Sequence, residues 1–108
     1  MIIGIDIGGT TTDIVGLMGS KIINPLTITA NDPITSAAGA LGKFLEAIGA
    51  SLNEVSIIAA TGVGSNEVKS KLFGIPVVKV DEFTAIGTAG SFLSDVDNAS
   101  GVDSTPPY

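Results

Sequence analysis

The sequence predicts an α/β fold in which a five-stranded mixed sheet, in the strand order 3-2-1-4-5, carries helices on its faces. Two observations lead to this prediction. Three apolar segments at the start of the chain are joined by glycine-containing turns, which is typical of an antiparallel meander. After residue 32, helical periodicity alternates with short apolar segments. That alternation is typical of crossover units, and right-handed crossovers place the later strands beside the first.

The meander consists of three strands, predicted over residues 1–7, 12–18 and 21–29. Gly8-Gly9 and Gly19-Ser20 separate them, and both pairs are strong turn signals. Pro25 lies inside the third strand and cannot donate a hydrogen bond to a ladder. That strand is therefore expected at an edge of the sheet, or broken.

The second part of the chain alternates helices and strands. Asp32 is an N-cap followed by Pro33 at the first helical position, and Gly49 ends this helix. A strand, a short helix that begins at Ser65 and is ended by Gly74, a second strand and a last helix follow. The first helix is predicted over residues 32–49. The four elements after it are predicted, in the order just given, over residues 55–60, 65–72, 76–80 and 81–93.

Composition bounds the size of the protein and excludes several classes of function. The 108 residues, 44% hydrophobic and 15% charged, suit one compact domain, predicted over residues 1–94. Residues 95–108 are polar and acidic, and we expect them to form a flexible tail. The chain has no cysteine and no histidine, so disulfides, thiolate catalysis and imidazole bases are excluded.

Charge and hydropathy argue against two classes of partner. The net charge is -6 and no Lys/Arg cluster is present, so we expect neither nucleic acid nor an anionic membrane surface as a partner. The first residues show no signal-peptide pattern, and no apolar run approaches the length of a membrane span. We therefore expect a cytoplasmic protein.

Residues 6–12 carry the strongest functional signal. Two adjacent glycines at a hairpin expose backbone N–H groups with no Cβ in the way, and such a turn binds anions. Asp6, at the end of the first strand, can hold a hydrated Mg²⁺ that bridges to phosphate oxygens. A glycine pair alone would indicate only a hairpin, and an Asp there can simply cap the turn. Combined with the threonine hydroxyls and the return strand, the pattern predicts a phosphate site at Gly8, Gly9, Thr10, Thr11 and Thr12.

The segment Asp-Ile-Gly-Gly-Thr at residues 6–10 resembles the first phosphate motif of the superfamily of sugar kinases, heat-shock proteins and actin. It is not a Walker loop, which needs Gly-Lys-Ser/Thr, nor a dinucleotide motif, whose glycines stand between a strand and a helix. The resemblance implies a ribonuclease H-like, actin-like ATPase lobe. It also implies that ATP binds between two lobes, with Mg²⁺ held near Asp6 mainly through water.

Two later segments make residues 1–93 similar to type II pantothenate kinases. Thr61-Gly62 end the fourth strand, and Asp81-Glu82 follow the fifth and open a helix. In open α/β sheets, ligands bind at the carboxyl ends of such strands. The resemblance implies that Glu82 and Asp6 are catalytic, Glu82 as the base for the substrate hydroxyl. It further implies that Thr61 and Gly62 contact pantothenate or a similar substrate in coenzyme A biosynthesis. Taken alone, Asp81-Glu82 would only favour a helix N-terminus.

One position departs from that family. Its well-studied members carry a Lys three residues after the Thr of Gly-Gly-Thr, where this chain has Asp13. Lys21 and Lys79 are the candidates to replace that charge. The Thr-Thr-Thr-Asp run at residues 10–13 also resembles the amino-terminal domains of hydantoinases and oxoprolinases. The alternatives to a kinase are therefore an ATP-hydrolysing domain of that type or of the dehydratase-activator type, and a non-catalytic truncated module.

A second glycine-rich phosphate loop, which members of this superfamily carry on another lobe, is not found after residue 93. Phosphoryl transfer needs both reactants to be positioned and water to be excluded, so we expect this chain alone to have little or no kinase activity. A missing lobe would leave apolar surface uncovered, which favours self-association as a homodimer.

Overall fold

The computed structural model describes residues 1–29 and 32–80, which form six strands, one α-helix and two short 3₁₀ turns. The 3₁₀ turns span Leu52–Glu54 and Ser65–Glu67. The other elements are β1 (Ile2–Ile7), β2 (Thr11–Met18), β3 (Lys21–Thr29), α1 (Pro33–Ile48), β4 (Ile57–Thr61), β5 (Lys71–Leu72) and β6 (Ile75–Lys79).

The strands form one sheet in the order β3-β2-β1-β4-β6-β5. Strands β1, β2 and β3 are an antiparallel meander, whereas β4 runs parallel to both β1 and β6. The predicted fold class and the order of the five predicted strands are confirmed, because β6 is the predicted fifth strand. The two-residue strand β5 adds one position at the edge of the sheet.

The predicted helix over residues 65–72 is wrong. Only its first three residues form a 3₁₀ turn, and its last two form β5, which pairs with β6 as a hairpin. The connecting residues Phe73 and Gly74 both have positive φ, 52° and 80°, as in the two-residue turns that suit hairpins. Val68 and Leu72 are both buried, so their four-residue spacing resembled a helical face.

Strand β3 is an edge strand, as its proline predicts. It also contains an extra residue, because Ile14 pairs with Leu26 whereas Gly16 pairs with Ile23. The bulge falls at Asn24-Pro25, where Asn24 has a φ of 46°. Proline is tolerated at such a bulge, since no ladder hydrogen bond is required of it there.

Helix α1 has the ends that the sequence predicts. The Asp32 carboxylate accepts a hydrogen bond from the Thr35 N–H at 2.8 Å, and Pro33 occupies the first turn. At the other end Gly49 has a left-handed φ of 71°, which suits a residue without a Cβ. These two caps fix where α1 begins, and its first turn lies beside the functional site described below.

The main core lies between α1 and one face of the sheet. Its fully buried members include Phe44 of α1 and Ile5 and Ile14 of the sheet. A smaller cluster of Val15, Leu17, Ala59 and Val80 lies on the opposite face. Neighbouring residues of a strand point to opposite faces, so each strand divides its side chains between these two layers.

The predicted helix over residues 81–93 and the predicted tail over 95–108 lie outside the described residues. Within the part of the chain that the structure describes, no helix combines the length and the apolar character needed to cross a membrane.

The contact between Gly16 and Phe44 makes glycine necessary in β2. A Cβ at Gly16 would overlap Phe44 Cζ and lie 2.9 Å from Ile23 Cγ1, whereas a Cβ at Gly42 of α1 would meet no atom within 4 Å. Gly16→Ala is therefore expected to lower the free energy of unfolding by about 1–3 kcal/mol through overpacking. Gly42→Ala should raise it by about 0.5–1 kcal/mol through helix propensity.

Urea unfolding followed by circular dichroism measures both changes. Equal stability of the two variants would contradict this description of the core.

Candidate functional site

The turn between β1 and β2 has two unbonded amides at its tip. The Gly8 N–H donates to the Thr11 carbonyl at 2.9 Å and closes the turn. Gly9 and Thr10 are exposed, and neither of their N–H groups donates to any residue that the structure describes. A Cβ at Gly9 would meet no atom within 4 Å. The amides that this turn leaves open are therefore those of Gly9 and Thr10, while the Gly8 amide is used within the hairpin.

The loop after β4 approaches the end of β1 so closely that it requires glycine. Gly62 has a φ of 95°, and a Cβ there would lie 2.5 Å from Asp6 Oδ1 and overlap the Ile7 carbonyl. The Gly64 N–H donates to the Ile7 carbonyl at 2.9 Å. This contact brings the predicted residues Thr61 and Gly62 to the Asp6 carboxylate, at the shared carboxyl end of two parallel strands.

A row of four polar residues crosses the sheet at this level. Asp6 is in register with Asp13 on β2 and with Thr61 on β4, and Asp13 is in register with Thr27 on β3. Residues in register on adjacent strands share a face, which here is the face opposite α1. The Thr27 hydroxyl donates to Asp13 Oδ1 at 2.5 Å and fixes that carboxylate.

The donor set of this row fits a hydrated Mg²⁺. Two carboxylates directly opposite each other on neighbouring strands repel, so a cation between them is favourable. Mg²⁺ in nucleotide sites keeps several waters and uses one or two carboxylates together with substrate phosphates. Residues 1–29 and 32–80 contain no group of three or more acidic, histidine or cysteine side chains, so a metal cage made of side chains alone is absent there. Asp6 and Asp13 would face the ion mainly through water.

Sequence reasoning missed Asp13 as a partner of Asp6. A detectable signal existed, because a hairpin turn that closes between Gly8 and Thr11 places residues 6 and 13 opposite each other. Comparison with the kinase motif indicated only that the charge at residue 13 differs. The register of β1 and β2 must be known before Asp13 can be placed opposite Asp6.

The structure separates Thr12 from the other predicted phosphate ligands. Thr10 and Thr11 are exposed, whereas Thr12 is 0% exposed and lies on the α1 face, in register with Ile7 and Ile28. Among the residues that the structure describes, none is a hydrogen-bond partner of the Thr12 hydroxyl. This placement does not favour contact between Thr12 and a phosphate at the turn.

Two lysines were candidates to replace the lysine of the pantothenate kinase motif, and neither lies in the row of four polar residues. Lys79 Nζ donates to the Val68 carbonyl at 2.7 Å, which ties this side chain to the segment after β4. Lys21 follows the turn at the opposite end of β2. Glu82, the predicted base, lies outside the described residues, so its role stays a prediction.

A cavity of about 290 Å³ opens beside the turn, on the α1 side. It is bounded by the β1–β2 turn, the start of α1 and the loop after β4, and its lining residues are Gly8, Gly9, Asp32, Pro33, Ser36, Val63, Gly64 and Glu67. Hydrogen bonds from the Thr35 N–H and hydroxyl hold the pKa of Asp32 below its usual value. This cavity could not be predicted from sequence, because its walls come from three separate segments.

Comparison with known proteins finds a similar sequence and similar solved structures. No family model matches the chain. An uncharacterized protein of Methanocaldococcus jannaschii is 31% identical over 93 residues. That match covers 86% of this chain but only 22% of the relative.

One similar structure is the activator of the 2-hydroxyisocaproyl-CoA dehydratase from Clostridium difficile, which was solved with bound ADPNP. It superposes with a TM-score of 0.59 and 23% identity, over 72% of this chain and 28% of the activator. The chain has the fold of an actin-like ATPase lobe.

The actin-like lobe explains the position of the residues described above. Asp6, the β1–β2 turn and Thr61 all lie at one end of β1 and β4, where an open α/β sheet binds its ligands. The predicted fold of an actin-like ATPase lobe is thus confirmed. The narrower likeness to pantothenate kinases stays a prediction.

The buried hydroxyl of Thr12 yields a test of its role. If it is only an unpaired group in the core of the lobe, Thr12→Val should raise the free energy of unfolding by about 1 kcal/mol. Chemical denaturation measures this change, and affinity for ADPNP should stay that of the wild type. A weaker affinity for ADPNP would show instead that Thr12 contacts phosphate.

Proposed function

We propose that this lobe binds the phosphates of ATP at the β1–β2 turn, as part of an ATP-dependent enzyme. One observation carries the proposal: the open amides of Gly9 and Thr10 lie next to the end of β1, where Asp6 faces Thr61 and Gly62. Backbone amides at a glycine turn attract phosphate oxygens, and an adjacent carboxylate can hold the cation that accompanies them. The nucleotide-bound activator with the same fold supports this assignment.

Each group at this site has a distinct task in the proposal. The Gly9 and Thr10 amides donate to phosphate oxygens, and Asp6 holds a Mg²⁺ through water. When bound, Mg²⁺ supplies charge neutralisation on the phosphates. Thr27 keeps Asp13 pointed along the row, so that a second carboxylate faces the same ion. Without a cation, these carboxylates would repel the triphosphate, so binding should depend strongly on Mg²⁺.

ATP hydrolysis coupled to a second reaction is the activity that these residues favour. Direct transfer in the pantothenate kinase family uses a lysine near the transferred phosphate, and here Asp13 occupies that position. Within residues 1–29 and 32–80, neither Lys21 nor Lys79 replaces it. The dehydratase activator shows only the fold, and its bound ADPNP is consistent with a nucleotide-binding lobe.

Phosphorylation of pantothenate or a similar hydroxyl compound is the second candidate function. It draws support from the contact between Gly62 and Asp6, since the Thr-Gly loop of the kinase motif stands next to the candidate phosphate site. In this scheme Glu82 is the base, Thr61 and Gly62 contact the substrate, and the product enters coenzyme A biosynthesis. The lobe would extend to residue 94, followed by a tail over 95–108.

Homodimer formation is a further part of the proposal. Met18, Val63 and Phe73 are large apolar side chains that are 55%, 79% and 59% exposed. Exposed apolar residues of this kind favour association when they lie together on a surface. Sedimentation velocity over a range of concentrations tests for the dimer.

Substitution of Gly9 tests the turn. Gly9→Val should weaken binding of ADPNP with Mg²⁺ at least about tenfold, because a branched side chain would stand where phosphate approaches the amides. Folding should be preserved, since nothing lies within 4 Å of a Cβ at that position. Isothermal titration calorimetry measures the affinity.

Gly42→Val is the matched control, because Gly42 is also exposed and has equally open surroundings, but it lies on α1. It should leave the affinity unchanged. If both variants bind ADPNP like the wild type, the turn is not the phosphate site.

Substitution of Asp13 tests the requirement for a cation. In the wild type, removal of Mg²⁺ with EDTA should weaken ADPNP binding more than about tenfold, because two carboxylates then face the phosphates. In Asp13→Lys this dependence should become smaller, since an ammonium group replaces one carboxylate. Affinities with and without Mg²⁺ measure the effect.

Glu46→Lys makes the same change of charge on the exposed last turn of α1 and serves as the control. Its dependence on Mg²⁺ should match that of the wild type. An equal response of the two variants would show that overall charge, rather than the position of Asp13, governs nucleotide binding.

A further inference from the structure

The hairpin formed by β5 and β6 carries an exposed aromatic side chain at its tip. Phe73 is 59% exposed, whereas Leu72 and Ile75 on either side of the turn are buried. Aromatic side chains bury a large apolar area and are enriched in the cores of protein–protein interfaces. Single exposed apolar residues are common on protein surfaces, so exposure alone does not make Phe73 a contact residue.

The backbone at Phe73 also indicates a function for this side chain. Phe73 and Gly74 form the two-residue turn of the hairpin, and Phe73 has a φ of 52°. A bulky side chain is disfavoured at that angle, whereas asparagine followed by glycine is the pair that such turns prefer. The aromatic residue is therefore unfavourable both for the turn and for its contact with water. Unfavourable residues of this kind are found where a function requires them.

The hairpin region is positively charged although the chain as a whole is acidic. Residues 68–80 hold three of the five lysines and none of the eleven acidic residues. Lys69 and Lys71 are exposed, and neither forms a salt bridge with a carboxylate of residues 1–29 and 32–80. The third lysine, Lys79, donates to the Val68 carbonyl. Lysines at a sheet edge also hinder unwanted strand pairing, but that role does not require an exposed aromatic residue.

The hairpin tip lies at the opposite end of the sheet from the candidate phosphate site. Strands β1, β4 and β6 are parallel, and the β1–β2 turn follows the carboxyl end of β1. Phe73 precedes β6 and so lies at its amino end, whereas Val63 follows β4 and lies at the carboxyl end. A partner bound at the hairpin would therefore leave both the β1–β2 turn and Val63 accessible.

We propose that Lys69, Lys71 and Phe73 form a docking surface for a second protein, and that this partner presents carboxylates around an apolar contact for the Phe73 ring. The ring would supply the buried apolar area, because it is the large apolar side chain at the hairpin tip. The two ammonium groups would orient the partner and disfavour partners with a positive surface. The surface does not include any residue of the candidate phosphate site, so the inference is independent of nucleotide binding.

Other occupants fit this surface less well. A two-fold pair of identical copies would bring the lysines of both copies together, and like charges repel. Outside residues 68–80 the chain has two lysines and eleven acidic residues, a net charge of -9. That charge disfavours nucleic acid and anionic membranes, which present negative charge over a large area. A short acidic segment contacts only the hairpin, and salt screens the charges farther away.

Two synthetic peptides test the surface on the full 108-residue chain. In one peptide glutamate alternates with leucine, and in the other glutamine replaces each glutamate. Only the acidic peptide should shift the amide resonances of Lys71, Phe73 and Gly74 in ¹⁵N-correlated NMR spectra. Higher ionic strength should weaken its binding, since the lysines attract it through charge.

Phe73→Asn separates docking from folding. It should weaken binding of the acidic peptide at least about tenfold, because the aromatic contact is lost. The midpoint of urea unfolding should rise, since asparagine suits the positive φ of this turn. Lys71→Glu should also weaken binding of the acidic peptide, because it places a carboxylate opposite the carboxylates of the peptide.

Two variants are matched controls. Met18→Asn replaces an apolar side chain of similar exposure, 55%, at the β2–β3 turn, and Lys43→Glu makes the same change of charge on the exposed side of α1. Both should bind the acidic peptide like the wild type.

Several results would overturn the inference. They are equal binding of the two peptides, no binding of the acidic peptide, and wild-type affinity in Phe73→Asn. Tighter binding of single-stranded DNA or of phosphatidylserine vesicles than of the acidic peptide would also contradict it. Self-association of the chain that Phe73→Asn abolishes would assign the surface to a second copy instead.

Discussion

The whole site depends on one close approach, that of the loop after β4 to the end of β1. Gly64 donates to the Ile7 carbonyl, and Gly62 leaves room for the Asp6 carboxylate because it has no Cβ. A side chain at either glycine would push the loop away from β1. The β1–β2 turn, the polar row and the cavity all border this contact, so they occupy fixed positions relative to one another.

The contact also separates two kinds of chemistry. On the face opposite α1, Asp6 and Asp13 lie side by side and suit a hydrated cation. On the α1 side, the turn borders a cavity lined in part by the exposed residues Asp32 and Glu67. The turn between them is the only part common to both sites within residues 1–29 and 32–80.

The local parts of this arrangement could be predicted from sequence, and the non-local parts could not. The glycine-containing turns predicted the meander, and the caps and helical periodicity predicted α1. The order of these elements along the chain predicted the strand order. Each of these signals acts over a few residues. The hairpin at Phe73-Gly74 was missed, since the buried pair Val68 and Leu72 has the spacing of a helical face. Other features depend on strand register and on packing between distant segments, which a local sequence pattern does not indicate. They are the burial of Thr12, the position of Asp13 opposite Asp6 and the walls of the cavity.

The most direct test of the central claim is the NMR amide spectrum of the full chain during titration with ADPNP and Mg²⁺. The Gly9 and Thr10 amide resonances should shift strongly, because these N–H groups are open and bind phosphate. The Gly8 amide, which is already bonded to the Thr11 carbonyl, should shift much less. Large shifts elsewhere with none at Gly9 and Thr10, or no shifts at all, would contradict the account.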